Sequence, residues 1–333
     1  MKPGFSIRPF TPDDYDGAIS VHLSVYPEYP NTANEWRDAD ARRHPDLFFR
    51  RFVAEMDGKI VGLVGGGPEE WANHPGLVSF NIRVRPEYEG RGIGAELYDR
   101  FLQEAAVLSP TRITSEARED KPRGIRFLTK RGFVEEMRFW ESQLDVDAFD
   151  FTPYAGCEER VTSQGIATKT YAELASDPDR DRKLYEMDVE ISLELPAPDQ
   201  ITPASFDRYR VQVLESPHLL PDAIFVALDG DRYVGITSLW RVEAGEHLMT
   251  GLTGVRRDYR RKGIALALKL RAIDYARRHG SPQIRTDNES NNRPMLAINE
   301  RLGFVKTPAW IAFALTGDFL PQRHEDTKNE EFS

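Results

Sequence analysis

Cysteine is all but missing from this chain of 333 residues, in which Cys157 stands alone. One cysteine excludes an internal disulfide framework and any metal site built on a cysteine cluster, and no metal is expected. Glu158 and Glu159 follow it, and nothing nearby would stabilise a thiolate, so Cys157 reads as an inert boundary residue. No apolar run is long enough to cross a bilayer. The first residues lack the hydrophobic segment of a secretory signal, and Pro3, Pro9 and Pro12 argue against one, which makes the cytoplasm the expected address. Net positive charge is lacking: 44 Lys and Arg are outnumbered by 54 Asp and Glu, and the formal net charge of −10 speaks against whole-surface affinity for nucleic acid or anionic lipid. With 40% hydrophobic and 29% charged residues, the composition is that of a globular chain.

What is present is a repeat. Val84 and Val255, Gly92 and Gly263, Gly132 and Gly303, and Phe133 and Phe304 all stand 171 positions apart. Asp57-Gly58 lies between Phe52-Val53-Ala54 and Ile60-Val61-Gly62, and Asp229-Gly230 lies between Phe225-Val226-Ala227 and Tyr233-Val234-Gly235 at an offset of 172. Asp-Gly flanked by alternating apolar residues predicts a hairpin. Each half therefore reads as strand, helical region, hairpin, long strand, glycine turn, helix, short strand, helix ending in Gly-Phe, and final strand. The class is mixed α/β. Two domains are expected, residues 1–155 and 156–333, because Thr152-Pro153-Tyr154-Ala155-Gly156 interrupts the periodic pattern.

The glycine turns point to an anion. Amides at a helix start have no intrahelical partner and act with the helix dipole, while small residues let a phosphate approach. In the second half, Arg256, Arg257, Arg260, Arg261 and Lys262 face only Asp258, a local net of +4 ahead of Gly263-Ile264-Ala265. In the first half, Arg85 and Arg91 are cancelled by Glu87 and Glu89, ahead of Gly92-Ile93-Gly94, so its anion site is expected to be the weaker one.

On these residues the chain resembles the GNAT superfamily of acyl-CoA-dependent N-acyltransferases. The family's pyrophosphate motif is Arg or Gln, two variable residues, Gly, one variable residue, then Gly or Ala. It is met in full by Arg260-Arg261-Lys262-Gly263-Ile264-Ala265 and only in part by Glu89-Gly90-Arg91-Gly92-Ile93-Gly94. The stretch Asn288-Glu289-Ser290-Asn291-Asn292, then Met295, Asn299 and Leu302-Gly303-Phe304, resembles the family's second conserved segment, of which the first half keeps Arg131-Gly132-Phe133. The tandem organisation is similar to that of mycothiol synthase. The resemblance implies two twisted mixed sheets flanked by helices, each with a V-shaped cleft between strands four and five. It also implies acetyl-CoA as acyl donor; a small amine is the expected acceptor because a second domain bounds the cleft, and no metal, nucleic acid or membrane is expected as a partner.

The same resemblance implies the roles. Strand four of the second half spans roughly Leu248 to Val255, and the backbone amide at Val255 would support the oxyanion. Arg260, Arg261, Lys262, Gly263, Ile264, Ala265 and Asn292 would hold the cofactor. Val84, Gly90, Arg91, Gly92, Ile93 and Gly94 outline a second, weaker site. Many members carry a tyrosine acid four positions before the glycine of Gly-Phe; here Asn299 and Leu128 stand there. Asn299 could donate a hydrogen bond to sulfur, or simply bridge its helix to a neighbouring loop. Asp188, Glu190, Glu194, Glu246 and His247 are candidate bases, with Asp188 preferred because its segment takes the substrate-lid position. Tyr26, Tyr29 and Trp36 either line a pocket or pack over a core edge.

Acetyl transfer in the second half is the leading reading. A non-catalytic acyl-CoA-binding or regulatory protein is the alternative, and a dinucleotide site fits poorly because the turn does not open a parallel βαβ unit.

Overall fold

The first half runs β1 (Ser6–Pro9), α1 (Tyr15–Val25), α2 (Ala33–Arg42), β2 (Arg50–Met56), β3 (Lys59–Gly67), β4 (Leu77–Val84), α3 (Ile93–Ala105), β5 (Arg112–Arg118), α4 (Pro122–Thr129) and β6 (Val134–Asp145). The second runs α5 (Cys157–Thr162), β7 (Ile166–Thr170), α6 (Arg180–Ser192), α7 (Phe206–Tyr209), β8 (Leu219–Asp229), β9 (Arg232–Arg241), β10 (Leu248–Val255), α8 (Ile264–Arg278), β11 (Gln283–Glu289), α9 (Arg293–Arg301), β12 (Val305–Lys306) and β13 (Trp310–Thr316). The structure is a computed structural model that describes residues 4–69, 76–198 and 201–317. Lys2 and Pro3 lie outside the described residues.

Both Asp-Gly hairpins form, with a difference. Met56 pairs with Lys59 across Asp57 and Gly58, and both central residues have positive φ, as a type I′ turn requires. In the second half Asp229 itself pairs with Arg232, so the turn is Gly230-Asp231 rather than Asp229-Gly230, and only Gly230 has positive φ. Gly132 and Gly303 end α4 and α9 at φ 85° and 83°. The amides of Phe133 and Phe304 then reach back to the carbonyls of Leu128 and Asn299. This C-terminal cap explains the repeated Gly-Phe.

The thirteen strands of the described residues join one sheet in the order β1-β2-β3-β4-β5-β13-β6-β11-β10-β9-β8-β7, with β12 beside β6. The clefts are where parallel pairing stops. β4 pairs with β5 only from Leu77 to Phe80, and β10 pairs with β11 only at Leu248 and Met249. The second cleft opens sooner, and β10 carries an irregularity between Thr250 and Thr253 against β9, whereas β4 pairs with β3 without a break.

The final strands correct the sequence reading, which gave each half its own. β13 crosses over to pair with β5 along its whole length, from Trp310 opposite Arg118 to Thr316 opposite Arg112. β6 divides: its start pairs with β13, and its residues Phe139–Asp145 pair with β11 of the other half. Ile311 and Phe313 therefore sit in the first half's core with Phe52, Ile93, Leu97 and Phe101, while Leu144 and Val146 sit in the second half's core with Phe225, Ile264 and Leu268. Alternation tells a strand which face to bury but not which neighbour to choose, so the exchange left no local mark.

Candidate functional site

Helix α8 opens at Gly263, which is left-handed at φ 84°. An added Cβ there would meet only Val161, at 3.8 Å, so glycine is required by conformation rather than by space. The amide of Ala267 bonds back to the Gly263 carbonyl at 3.1 Å, and the turn before it, Gly263 to Leu266, lines a cavity of about 740 Å³. These are the free donors expected of an anion cradle. Arg261 also takes a left-handed conformation, at φ 63°, where the first half has Gly90 at 79°. An arginine held there costs about 1 kcal/mol or more.

From the turn, the cavity runs between β10, α9 and the end of α6, and it reaches Thr253, Gly254 and Ile191. Val255 borders it. The register pairs Val255 with Gly235, while the Arg256 amide bonds to the Val234 carbonyl at 2.9 Å. Bonded and non-bonded pairs alternate in an antiparallel ladder, so the Val255 amide and carbonyl turn away from β9 and into the splay. The carbonyl accepts from Arg260 Nε at 3.1 Å. Val84 has the same geometry, since it pairs with Gly62 and the Arg85 amide bonds to Val61.

The basic run is less free than its sequence implies. Glu194, just past α6, sits between Arg257 Nε, at 3.2 Å, and the Arg260 guanidinium, with which it forms an ion pair. Glu190 pairs with Arg256. A carboxylate of the chain's own thus lies where two guanidiniums converge, which marks that pair as an anion site. Two candidate bases are thereby engaged as counter-ions, a pairing across 66 positions that the sequence does not signal.

The remaining candidates divide. Asp188 lies on α6, where it accepts from Ser192 of the same helix at 3.2 Å, and it faces α7, whose Tyr209 hydroxyl donates to it at 3.4 Å. Burial raises its carboxyl to about 6. Glu246 and His247 line a different cavity, with Glu28 and Arg285, at the closed end of the V. Burial first, then Arg285, lowers the His247 imidazole to about 4. Asn292 borders the main cavity and also caps α9, its side chain accepting from the Met295 amide. Asn291 is tied to Glu289. Asn299 is buried and donates to Asn288 at 2.6 Å, which ties α9 to strand β11 rather than to a loop, and its own Oδ1 has no partner among the described residues.

The Acetyltransferase (GNAT) family matches this chain twice, over residues 15–133 and 189–304. The chain belongs to the GNAT acetyltransferase family. Its two GNAT copies account for the repeat, and members of the family use acetyl-CoA. Among curated relatives, N-alpha-acetyltransferase 30 of Schizosaccharomyces pombe is 30% identical over 103 residues, 30% of this chain and 69% of that protein. An acetyltransferase of Pectobacterium atrosepticum is 31% identical over 120 residues, 34% of this chain and 77% of its own length. Two solved structures share the whole tandem fold. A tandem GNAT protein from the clavulanic acid biosynthesis pathway aligns at TM-score 0.72 and 19% identity, over 94% of this chain and 98% of that one. A GCN5-related N-acetyltransferase from Sphaerobacter thermophilus aligns at TM-score 0.69 and 18% identity, over 95% and 96%.

The first GNAT copy keeps the glycines but differs around them. Glu89 is paired with Arg123 at 2.8 Å, and the Ala95 amide is already bonded to Gly92 at 3.0 Å. A Cβ added at Gly94 would meet the Phe127 ring at 3.6 Å, whereas the second copy has Ala265 and Ile298 at the matching positions. Tyr26, Tyr29 and Trp310 pack on one another, and His22 packs on Trp36. Those aromatics cover a core edge, the second of the two roles they could have taken.

Proposed function

We propose that this GNAT protein transfers an acetyl group from acetyl-CoA to a primary amine of a small molecule by direct attack, with the chemistry in residues 156–333. Residues 1–155 form a degenerate copy that completes the fold. The observation that carries this reading is the single cavity joining the Gly263 turn to the inward-facing Val255 amide. In this reading the amides of Gly263, Ile264 and Ala265, with Arg260, Arg261 and Lys262, hold the pyrophosphate, and Asn292 borders the pantetheine arm.

The amine nitrogen attacks the thioester carbonyl, the Val255 amide donates to the developing oxyanion, and the C–S bond breaks to release CoA thiolate. A preorganised donor of this kind contributes roughly 3 kcal/mol to the transition state. Asn299 stands where an acid would serve the thiolate, but an amide has no proton to give up at neutral pH. Asp188 has the proton affinity of a base near neutrality, yet it faces α7, so a proton from the ammonium would reach it only through water.

That lack of an acid favours a second reading, a non-catalytic acyl-CoA-binding protein. Turnover separates the two. Calorimetric titration with acetyl-CoA is expected to give one site on the wild type and none on Gly263→Glu, which blocks the amides and adds like charge. Thiol release across a library of small amines then tests catalysis. Absence of binding by the wild type would overturn both readings, and binding without release for any amine would favour the second.

A further inference from the structure

Besides the glycine turn, the cavity is lined by Thr253, Gly254, Val255 and Ile191, and the Val255 amide faces into the splay, which puts the thioester end beside them. Ile191 comes from the last turn of α6 and is 3% exposed. It presses so closely on Gly254 that a Cβ at that position would lie 2.2 Å from Ile191 Cγ2 and 3.5 Å from its Cδ1. Gly254 is not among the residues with positive φ, so no turn demands a glycine there. Its lack of a side chain matters because Ile191 fills the space. At the position matching Gly254 the first copy carries Arg83. The Ile191–Gly254 contact is therefore peculiar to the copy that holds the cavity.

We propose that Ile191, seated on Gly254, is the residue that limits acyl-chain length: it closes the thioester end to all but two- or three-carbon acyl groups. This rests on the reading that the cavity holds an acyl-CoA. An acyl chain that continues past the carbonyl beside Val255 meets the Ile191 side chain, which is backed by Leu184 and Met187 of its own helix and by Ile236 of β9 in one buried cluster. That backing leaves it little room to move aside. Pockets that sense one methylene discriminate by roughly tenfold or more, which sets the scale of the effect.

The test is a calorimetric series with CoA, acetyl-CoA, propionyl-CoA, butyryl-CoA and hexanoyl-CoA on the wild type, Ile191→Ala and Ile191→Val. The wild type is expected to bind butyryl-CoA about tenfold or more weakly than acetyl-CoA. Ile191→Ala brings the two within about threefold while affinity for CoA itself is kept, and Ile191→Val, the milder change, falls between. CoA serves as the internal reference, so a variant that loses its fold is recognised by loss of CoA binding, and the valine variant then decides. A butyryl-to-acetyl ratio that is already near one in the wild type, or that stays the same in both variants, overturns this inference and leaves the acyl-CoA reading standing. Failure of the wild type to bind CoA at all overturns that reading, and this one with it.

Discussion

Single residues in this protein take meaning from what they face. Gly263 could be read from the sequence because spacing alone marks a helix start after a tight turn. Glu194 could not, since its role depends on a fold that brings the end of α6 to Arg257 and Arg260. In the proposed reading an incoming phosphate displaces that carboxylate, so Glu194→Gln is expected to tighten acetyl-CoA binding roughly two- to fivefold by calorimetry, the scale of a half-exposed ion pair. Arg261 gives the opposite kind of test. Replacing this left-handed arginine with glycine should stabilise the fold by roughly 0.5–1 kcal/mol in urea unfolding, because relief of strain exceeds the added chain entropy. The same change removes a cation from the cradle, so acetyl-CoA affinity should fall. A fall in both quantities would show that the conformation is not strained.

At the scale of elements, periodicity served well where packing is local. The helix expected after the glycine turn became α8, Ile264–Arg278, and the strand that the resemblance implied from Leu248 to Val255 matches β10. The pattern did not disclose what α8 buries. Lys269, at the position of Tyr98 in the first copy, is 3% exposed, and burial lowers its ammonium from 10.5 to about 8. Its Nζ lies 5.1 Å over the Phe304 ring, a modest compensation. Because the folded value lies below the unfolded one, the cost of burying the charge is full below about pH 8 and fades as pH rises toward 10.5. Lys269→Met should therefore stabilise the protein by roughly 2–3 kcal/mol at pH 7, with a smaller gain at pH 9.5, as measured by chemical unfolding. A gain independent of pH would mean that the lysine stays charged and solvated in the fold.

The whole molecule is where sequence reading fell furthest short. Offsets of 171 exposed the duplication, yet they describe two halves lying side by side, whereas β6 and β13 are traded between them. Residues 1–155 expressed alone would lack β11, β12 and β13, leaving the β5 edge and all of β6 unpaired. Unpaired edges of that length recruit strands. The fragment is expected to self-associate in size-exclusion chromatography with light scattering, and the intact chain to unfold in one transition. A monomeric, folded fragment would show that the exchange is dispensable.

If the first copy is idle, as proposed, the trade also explains why it would persist. Half of such a gene could close its sheets only as a strand-exchanged homodimer with two equal sites. Fusion joins the pair at fixed stoichiometry, so one copy is free to lose its ligand while its β6 still completes the sheet beside β11. Under that arrangement, substitutions that disable the first copy's cradle carry no penalty, whereas deleting that copy dismantles the other.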